Sequence, residues 1–375
     1  MNTYNQEILS KKIDEIADFD FKNHKVFGSA YYVYNNGQVL EKCYGTMDIK
    51  GSTPITDTSI FRLASMTKPV TAVAALILVD KGLLSLKDSV DKYLPAFKDV
   101  LIKDLDGNIS KPKNIPTVKD ILTHSSGIGC ELSKWTKITQ EDANTLDATI
   151  AFGIENGLDY EPNSKQLYSA FVAFDVLTKI IEMVSGMDYL TFLTKELFEP
   201  CGMCDTTFIL SDEQQTRLVE MHNRVDDMNA VYEMPEGCIF ENFPCTHFVG
   251  GAGLASTLRD YAKFAQMLLN KGQGEKARVL KEETWALLCS PQLPESIMPG
   301  HTRWGLGVRV IADDTYPYFP KGAFGWSGAY GSHFWVNPAD NLFAVFMKNS
   351  RYDGGAENES AVNFERAVWE SREEK

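Results

Sequence analysis

Ser65 and Lys68 are the two residues of this chain whose types and spacing most directly indicate nucleophilic chemistry. They stand three positions apart at the start of a predicted helix, and residues at i and i+3 share one helix face. The hydroxyl and the amine would therefore face each other within hydrogen-bonding distance. A serine hydroxyl becomes a good nucleophile only when a base removes its proton. A lysine can act as that base only when burial or a neighbouring cation lowers its pKa.

Other arrangements for nucleophilic or metal chemistry find less support in the sequence. The G-x-S-x-G elbow of α/β-hydrolases is absent, since residues 325–329 (GWSGA) fail at the last position. The chain has six histidines, so their number does not exclude a Ser-His-Asp triad, but none of them lies in a recognisable triad motif. They are His24, His124, His222, His247, His301 and His333. For His124, in THSSG, we predict a structural role. Because metal-binding, P-loop and dinucleotide-binding patterns are also missing, no metal or organic cofactor is implied.

The elements that must position these residues follow from hydrophobic periodicity and turn residues. Residues 26–48 alternate around Asn36-Gly37, which predicts a β-hairpin. Apolar positions at helical spacing predict a helix over 66–83. Near the C-terminus, WGLGVRVI, FGWSGAYGSHFWVN and NLFAVFMKN each predict one strand. Further helices are predicted at the N-terminus and over 170–186, 188–200, 257–271 and 356–372.

The order of these elements predicts the fold class. Strands occur at both ends of the chain with helices between them, so we expect one antiparallel sheet built from both termini. Helices packed on such a sheet make the fold α+β rather than doubly wound. We expect a sheet lobe of residues 1–85 and 300–375, an inserted, mainly helical lobe of residues 86–299, and an active site at their junction.

Charge and cysteine usage exclude some partners and indicate a compartment. The chain of 375 residues carries 37 Lys and Arg against 51 Asp and Glu, a net charge of −14, which disfavours nucleic acid and anionic membranes. No apolar stretch reaches the ~18 residues of a membrane span. Seven scattered cysteines, with no secretory signal in the N-terminal residues, predict free thiols in the cytoplasm. We expect a structural role for the CxxC pair Cys201 and Cys204, which has no second pair for zinc.

Six segments of the chain, including the one that contains Ser65 and Lys68, resemble a known family in sequence and in order. In order along the chain they are 60–93 (beginning IFRLASMTKPV), 120–127 (DILTHSSG), 167–169 (LYS) with the helix that follows, 198–206, 250–257 (GGAGLAST) and 325–328 (GWSG). Together they resemble the serine β-lactamase and penicillin-recognising family over about residues 25–350. The similarity is greatest to class C β-lactamases and family VIII carboxylesterases. It implies a β-lactamase-like fold, with an antiparallel sheet flanked by helices and an inserted helical lobe.

The resemblance also assigns catalytic roles. Ser65 is the nucleophile, Lys68 is its partner in proton transfer, and Tyr168 is either a phenolate base or a proton relay. For the phenolate role the pKa of Tyr168 would have to fall from ~10, and the neighbouring Lys68 ammonium would be the means. The backbone N–H groups of Ser65 and Ala329 would form the oxyanion hole, where one donor is typically worth ~3 kcal/mol.

Two departures from the family pattern bear on the substrate. Trp326, Ser327 and Gly328 occupy the place of the Lys-Thr-Gly motif and are the expected substrate-binding residues, so the cation that would pair with a β-lactam carboxylate is missing. Ala170 replaces the Asn of the family's Tyr-x-Asn motif. A tryptophan at the first position resembles the esterase branch and suits a neutral, apolar group. Two arginines could compensate for the lost cation, although a surface role is expected for each: Arg303 and Arg351.

The sequence therefore predicts a serine hydrolase that acts on a small-molecule ester or amide, most simply a carboxylesterase for small or medium acyl groups. Three alternatives stay open. One is a β-lactamase or D-amino-acid peptidase, and another is an acyl transferase that uses the same acyl-enzyme. The third, from a different class, is a non-catalytic binding or sensor protein. The oligomeric state is not predicted.

Overall fold

The computed structural model describes residues 3–135, 144–232, 245 and 247–373. The strands are β1 Thr3–Tyr4, β2 Gly28–Asn35, β3 Gln38–Gly45, β4 Ile60–Arg62, β5 Ile102–Lys103, β6 Ile109–Ser110, β7 His222–Val225, β8 Met228–Val231, β9 Ala255–Thr257, β10 Thr302–Trp304, β11 Arg309–Ile311, β12 Phe324–Ser327, β13 His333–Asn337, β14 Leu342–Met347 and β15 Arg372–Glu373. The α-helices are α1 Gln6–Lys22, α2 Thr67–Asp80, α3 Val118–Leu122, α4 Leu132–Trp135, α5 Leu146–Asn156, α6 Val172–Ser185, α7 Tyr189–Leu193, α8 Glu199–Cys201, α9 Asp212–Thr216, α10 Leu258–Leu269, α11 Glu282–Leu288 and α12 Glu359–Glu370.

A seven-stranded antiparallel sheet joins the two ends of the chain. Its order is β10-β11-β12-β13-β14-β2-β3, and β14 pairs with β2 from Leu342 opposite Asn35 to Met347 opposite Ala30. The β2–β3 turn has positive φ at both Asn36 (50°) and Gly37 (89°), as a tight hairpin turn of this type requires. The predicted hairpin and the α+β fold with an antiparallel sheet are both confirmed.

Helices cover both faces of this sheet because successive strand residues point to opposite sides. On β13, Phe334 faces α10, where its ring lies 5.1 Å from that of Tyr261. The next residue, Trp335, faces α12, and its ring lies 5.1 Å from that of Phe364. Full burial of one such side chain is worth roughly 1.5–3 kcal/mol. The buried residues of α10 belong to the same hydrophobic cluster as those of α2 and α6.

Two of the three predicted C-terminal strands are instead pairs of strands. The first stretch turns between β10 and β11, where Gly307 has a φ of 76°, and the second turns between β12 and β13, where Gly331 has a φ of 88°. Glycine in this left-handed region reverses the chain at little cost. The third stretch forms β14, as predicted.

The helices lie close to their predicted positions. Helix α10 belongs by sequence to the predicted helical lobe of residues 86–299, but it packs on β13, β14 and β2 of the sheet. The division into lobes therefore stays a prediction. Among the described residues, no helix combines the length and the apolar character needed to cross a bilayer.

Removal of the N-cap of α10 should weaken the packing of this helix on the sheet. The Thr257 hydroxyl accepts a hydrogen bond from the backbone N–H of Asp260 at 3.2 Å. Thr257→Ala should lower the free energy of unfolding by about 1 kcal/mol, measured by urea denaturation, whereas Thr257→Ser should lose less. The control is Thr194→Ala at an exposed helical position, and equal losses in the Thr257→Ala and Thr194→Ala proteins would contradict the capping role.

Candidate active site

Ser65 lies in a short 3₁₀ turn, Ala64–Met66, between β4 and α2. The residue before it, Ala64, has a φ of 46°, which costs a non-glycine residue about 1–3 kcal/mol. Flanking hydrogen bonds hold this backbone: the Leu63 N–H donates to the Leu254 carbonyl at 2.9 Å, and the Tyr261 hydroxyl donates to the Met66 carbonyl at 2.8 Å. The strained turn leaves Ser65 half-buried rather than enclosed in the core.

Lys68, one turn further along, is fully buried and points back at Ser65. Its Nζ donates to Ser65 Oγ at 3.3 Å, to the Ala170 carbonyl at 2.6 Å and to the Gly251 carbonyl at 2.8 Å. A lysine ammonium has three N–H donors, and these three acceptors match them. The arrangement therefore suits a charged Lys68, and the predicted contact between Ser65 and Lys68 is present in the structure.

Two glycines allow the carbonyl of residue 251 to reach Lys68. A Cβ on Gly251 would lie 3.0 Å from the Ala170 carbonyl oxygen and 3.3 Å from Lys68 Nζ. A Cβ on Gly250 would lie only 2.0 Å from Thr178 Oγ1 on α6. Any larger residue would push this segment away from α2 and α6.

Tyr168 lies between the nucleophile and the motif strand β12. Its hydroxyl interacts with the Ser65 side chain and accepts a hydrogen bond from Trp326 Nε1 at 3.2 Å. Lys68 Nζ lies 4.8 Å from the centre of the Tyr168 ring. Burial raises the pKa of Tyr168 above its usual value, although the hydrogen bonds with Ser65 and Trp326 oppose the shift. The raised pKa of Tyr168 lies opposite to the fall that the phenolate role would require, so of the two predicted roles it favours the proton relay.

The end of β12 packs directly against the segment that carries the nucleophile. A Cβ on Gly328 would lie 2.3 Å from the Leu63 carbonyl oxygen and 2.4 Å from Ser332 Oγ. The Gly328 N–H donates to the Ser332 carbonyl at 2.7 Å, which closes the turn that contains Ala329. This close approach brings Gly328, the residue before Ala329, against the Leu63 backbone, and the oxyanion hole of Ser65 and Ala329 stays a prediction.

The motif residues on β12 do not share one face. Trp326 faces Tyr168, but the Ser327 side chain lies on the opposite face of the sheet, where Ser327 Oγ lies 2.8 Å from His333 Nδ1. Of the predicted substrate-binding residues, Ser327 therefore turns its side chain away from the site. Successive side chains of a strand point to opposite faces. The sequence would therefore predict the orientation of Ser327 if the limits of β12 were known.

An aromatic wall that sequence reasoning missed surrounds Tyr168. The ring of Trp304 lies 4.6 Å from that of Trp326, and the ring of His124 lies 4.3 Å from that of Trp304 and 4.5 Å from that of Tyr168. His124 Nδ1 accepts the Ser169 N–H at 3.1 Å, and burial together with the Lys68 charge holds the pKa of His124 well below its usual range. His124 is therefore a neutral member of the wall.

The two arginines that could replace the missing cation have partners of their own. Arg303 is buried and donates to the carbonyl of Thr302 at 2.9 Å. The guanidinium of the exposed Arg351 lies 5.4 Å from the centre of the Tyr232 ring. Tyr232 packs against the small cluster of Ala64, Met221 and Tyr330, and Ala64 is the residue before Ser65.

Asp175 is a buried carboxyl group whose environment includes Lys68. Burial raises the pKa of Asp175 to about 7, while the Lys68 charge and the Gly250 N–H act in the opposite direction. It lies on α6, next to Phe174, whose ring centre is 5.3 Å from Lys68 Nζ. No sequence pattern indicates that Asp175 is buried, since an acidic residue in an amphipathic helix is usually exposed.

Together, the fold and this site define a serine hydrolase. The chain belongs to the Beta-lactamase family, whose profile matches residues 9–366. It is 28% identical over 381 residues to "Esterase EstB" of Burkholderia gladioli, with 92% of each chain covered. A similar solved structure is "EstCE1, a hydrolase with promiscuous acyltransferase activity", with a TM-score of 0.80, 22% identity, and coverage of 97% of this chain and 99% of that one. Another is a family VIII carboxylesterase, with a TM-score of 0.75, 20% identity and coverage of 96% and 97%.

The buried carboxyl group should make stability depend on pH. With a pKa of about 7 in the folded protein and ~3.9 in the unfolded chain, Asp175 holds a proton in the folded state between these values, so stability falls as pH rises. Asp175→Asn should remove this loss, which amounts to about 2–3 kcal/mol between pH 5 and pH 7.

Urea denaturation at several pH values measures this effect. The exposed Asp147→Asn serves as control, since its side chain is 74% exposed and its substitution should leave the pH dependence unchanged. The same slope of stability against pH in the wild type and in Asp175→Asn would contradict the assignment.

Proposed function

We propose that this protein is a carboxylesterase that acts through an acyl-enzyme on Ser65. The observation that carries the proposal is the convergence of three side chains from separate parts of the chain. Lys68 Nζ lies 3.3 Å from Ser65 Oγ, and the Tyr168 hydroxyl interacts with the same side chain. A nucleophile with a cation and a proton relay within hydrogen-bonding reach is an arrangement that suits covalent catalysis.

In this proposal Tyr168 relays protons as a neutral phenol. As Ser65 Oγ forms a bond to the ester carbonyl carbon, its proton passes to Tyr168 Oη, and the phenol proton of Tyr168 passes in the same step to the alcohol oxygen of the ester, so that Tyr168 stays neutral. The carbonyl π electrons become the oxyanion, and they re-form the carbonyl as the carbon–oxygen bond to the protonated alcohol oxygen breaks. Water then attacks the acyl-enzyme by the reverse route, which returns a proton to Ser65. Lys68 stays charged throughout, so its positive potential favours the negative charge that develops on the reacting oxygens.

The oxyanion of each tetrahedral intermediate would lie on the backbone N–H groups of Ser65 and Ala329. Support comes from the packing of Gly328 against Leu63, which brings the two chain segments together. Loss of one such donor typically costs 10²–10³ in kcat. Gly328 and Trp326 would border the substrate, whereas the Ser327 side chain lies on the opposite face of the sheet and would not contact it.

Aromatic side chains favour a neutral, apolar ester as substrate. Trp304 and Trp326 line the side of the site that carries a lysine in related β-lactamases, and Ala170 offers no side-chain amide. EstB is named an esterase and shares 28% of its residues with this chain, and a family VIII carboxylesterase has the same fold. These observations favour a carboxylesterase over a β-lactamase or a D-amino-acid peptidase.

Acyl transfer is a second candidate function, because the structural neighbour EstCE1 is described as a hydrolase with promiscuous acyltransferase activity. An alcohol in place of water would accept the acyl group from Ser65 through the same relay.

We also propose a cytoplasmic location, which the six described cysteines support since all six are free thiols.

Loss of the nucleophile should abolish ester hydrolysis. With p-nitrophenyl butyrate, Ser65→Ala should lower kcat/KM at least ~100-fold, the size expected when a unit of catalytic machinery is removed. Ser110→Ala, at an exposed position, is the matched control and should behave like the wild type. Equal activity of the wild type and Ser65→Ala would mean that the nucleophile lies elsewhere.

The same assay can test the preference for neutral substrates. Since the structure offers no lysine at position 326, the mono-p-nitrophenyl ester of succinate should react with a kcat/KM about 10- to 100-fold below that of the butyrate ester, the equivalent of a lost charge-assisted contact. A preference for the succinate ester would contradict a neutral substrate. Arg351→Ala would then show whether that residue binds the carboxylate.

A further inference from the structure

Behind the motif strand, three buried side chains form a polar chain that the reaction does not use directly. Ser327 Oγ lies 2.8 Å from His333 Nδ1, and His333 Nε2 lies 2.9 Å from Glu365 Oε1. Ser327, His333 and Glu365 are 5%, 2% and 3% exposed. The chain thus runs from the end of β12, through the first residue of β13, to α12.

The chemistry of the partners fixes the direction of this chain. A carboxylate has only acceptor oxygens, so a bare ring nitrogen facing Glu365 would be repelled and the ring proton belongs on His333 Nε2. His333 Nδ1 is then the ring nitrogen that is hydrogen-bonded with the Ser327 hydroxyl, at 2.8 Å. The Glu365 carboxylate has further partners in Arg309, at 3.9 Å, and in the Tyr316 hydroxyl, at 3.4 Å.

These three side chains are not a second catalytic triad. The cavity next to His333 has a volume of about 10 Å³, which holds at most one water and admits no substrate. The packing of the His333 ring against that of Trp335, 5.3 Å away, places it on the face of the sheet opposite Tyr168. The hydrogen bond between Ser327 and His333, together with the close contact of His333 with Glu365, restrains the position of Ser327.

Ser327 is joined on both sides to residues of the active site. The residue before it, Trp326, donates to the Tyr168 hydroxyl. The residue after it, Gly328, packs against Leu63 with no room for a side chain and leads into Ala329. A small rotation of the β12 end at Ser327 would therefore move both the Tyr168 hydrogen bond and the N–H of Ala329.

We propose that His333 and Glu365 are positioning residues for the oxyanion hole, acting through the hydroxyl of Ser327. The inference rests on the proposed function, since it takes Ser65 as the nucleophile and Ala329 as an oxyanion donor. The link between Ser327 and His333 restrains the motif strand, and Glu365 fixes the ring so that Nδ1 faces the serine.

Two substitutions at His333 separate the halves of this chain. The Oδ1 of His333→Asn matches the position of Nδ1 and still accepts from Ser327. The amide of His333→Gln reaches Glu365 instead and leaves the serine without its acceptor. We expect kcat for p-nitrophenyl butyrate to stay within ~3-fold of the wild type in His333→Asn and to fall ~10-fold in His333→Gln, with KM unchanged in both, as for an interaction realised in the transition state.

A tetrahedral ligand gives a second readout. Phenylboronic acid forms a reversible adduct with a nucleophilic serine, so its dissociation constant for His333→Gln should rise by the same ~10-fold factor as kcat falls. Melting temperatures of both variants provide the comparison for a purely structural role. Equal kcat values in the two variants, or a fall in melting temperature with kcat and boronate binding unchanged, would overturn the inference.

Ser327→Ala tests the same link by removal of one hydroxyl and should fold even if the His333 variants do not. A ~10-fold fall in kcat supports the inference, and an unchanged kcat overturns it. Failure of the proposed function gives a different pattern, since Ser65→Ala would then keep the activity of the wild type.

Discussion

A fully buried lysine is the constraint on which the rest of the site depends. The Nζ group of Lys68 is cut off from water, so protein atoms must satisfy all its donors. The carbonyls of Ala170 and Gly251 do so from two loops that are distant in sequence, and the third acceptor is Ser65 itself. These hydrogen bonds offset the free-energy cost of burying the ammonium group. The same hydrogen bonds bring Ser65, the segment that contains Tyr168 and Ala170, and the glycine loop at Gly251 together around Lys68.

The aromatic residues packed around Tyr168 explain why the site suits a neutral ester. The indole rings of Trp304 and Trp326 pack beside Tyr168, and Trp326 stands where the resemblance places a lysine that would pair with a substrate carboxylate. They also help to bury Tyr168, so the pKa of this residue is raised by burial and its hydroxyl is better suited to relay a proton than to hold a negative charge. The positive potential at the nucleophile comes from Lys68 alone among the side chains that contact Ser65 in the described structure.

Local patterns in the sequence predicted the parts of this architecture that local physics determines. The Asn36-Gly37 hairpin, the helix after Ser65 and the helix predicted over 257–271 each depend on a few neighbouring residues, and all three are present. Resemblance to a family then assigned Ser65, Lys68 and Tyr168, which the structure brings together. Trp304, Asp175 and the outward turn of Ser327 were missed, because they depend on which strand face or helix face is buried and on turns at Gly307 and Gly331 that periodicity does not reveal. The choice between the two predicted roles of Tyr168 needed the folded structure, because burial raises the pKa of this residue and favours the relay over the phenolate.

The central claim is that Ser65 carries the acyl group, and covalent labelling tests it most directly. A fluorophosphonate probe reacts with an activated serine, and mass spectrometry of the digested protein locates the adduct. The account predicts one adduct, on the peptide that contains Ser65, and none in the Ser65→Ala protein. An adduct on another serine, or equal labelling of the wild type and Ser65→Ala, would contradict it.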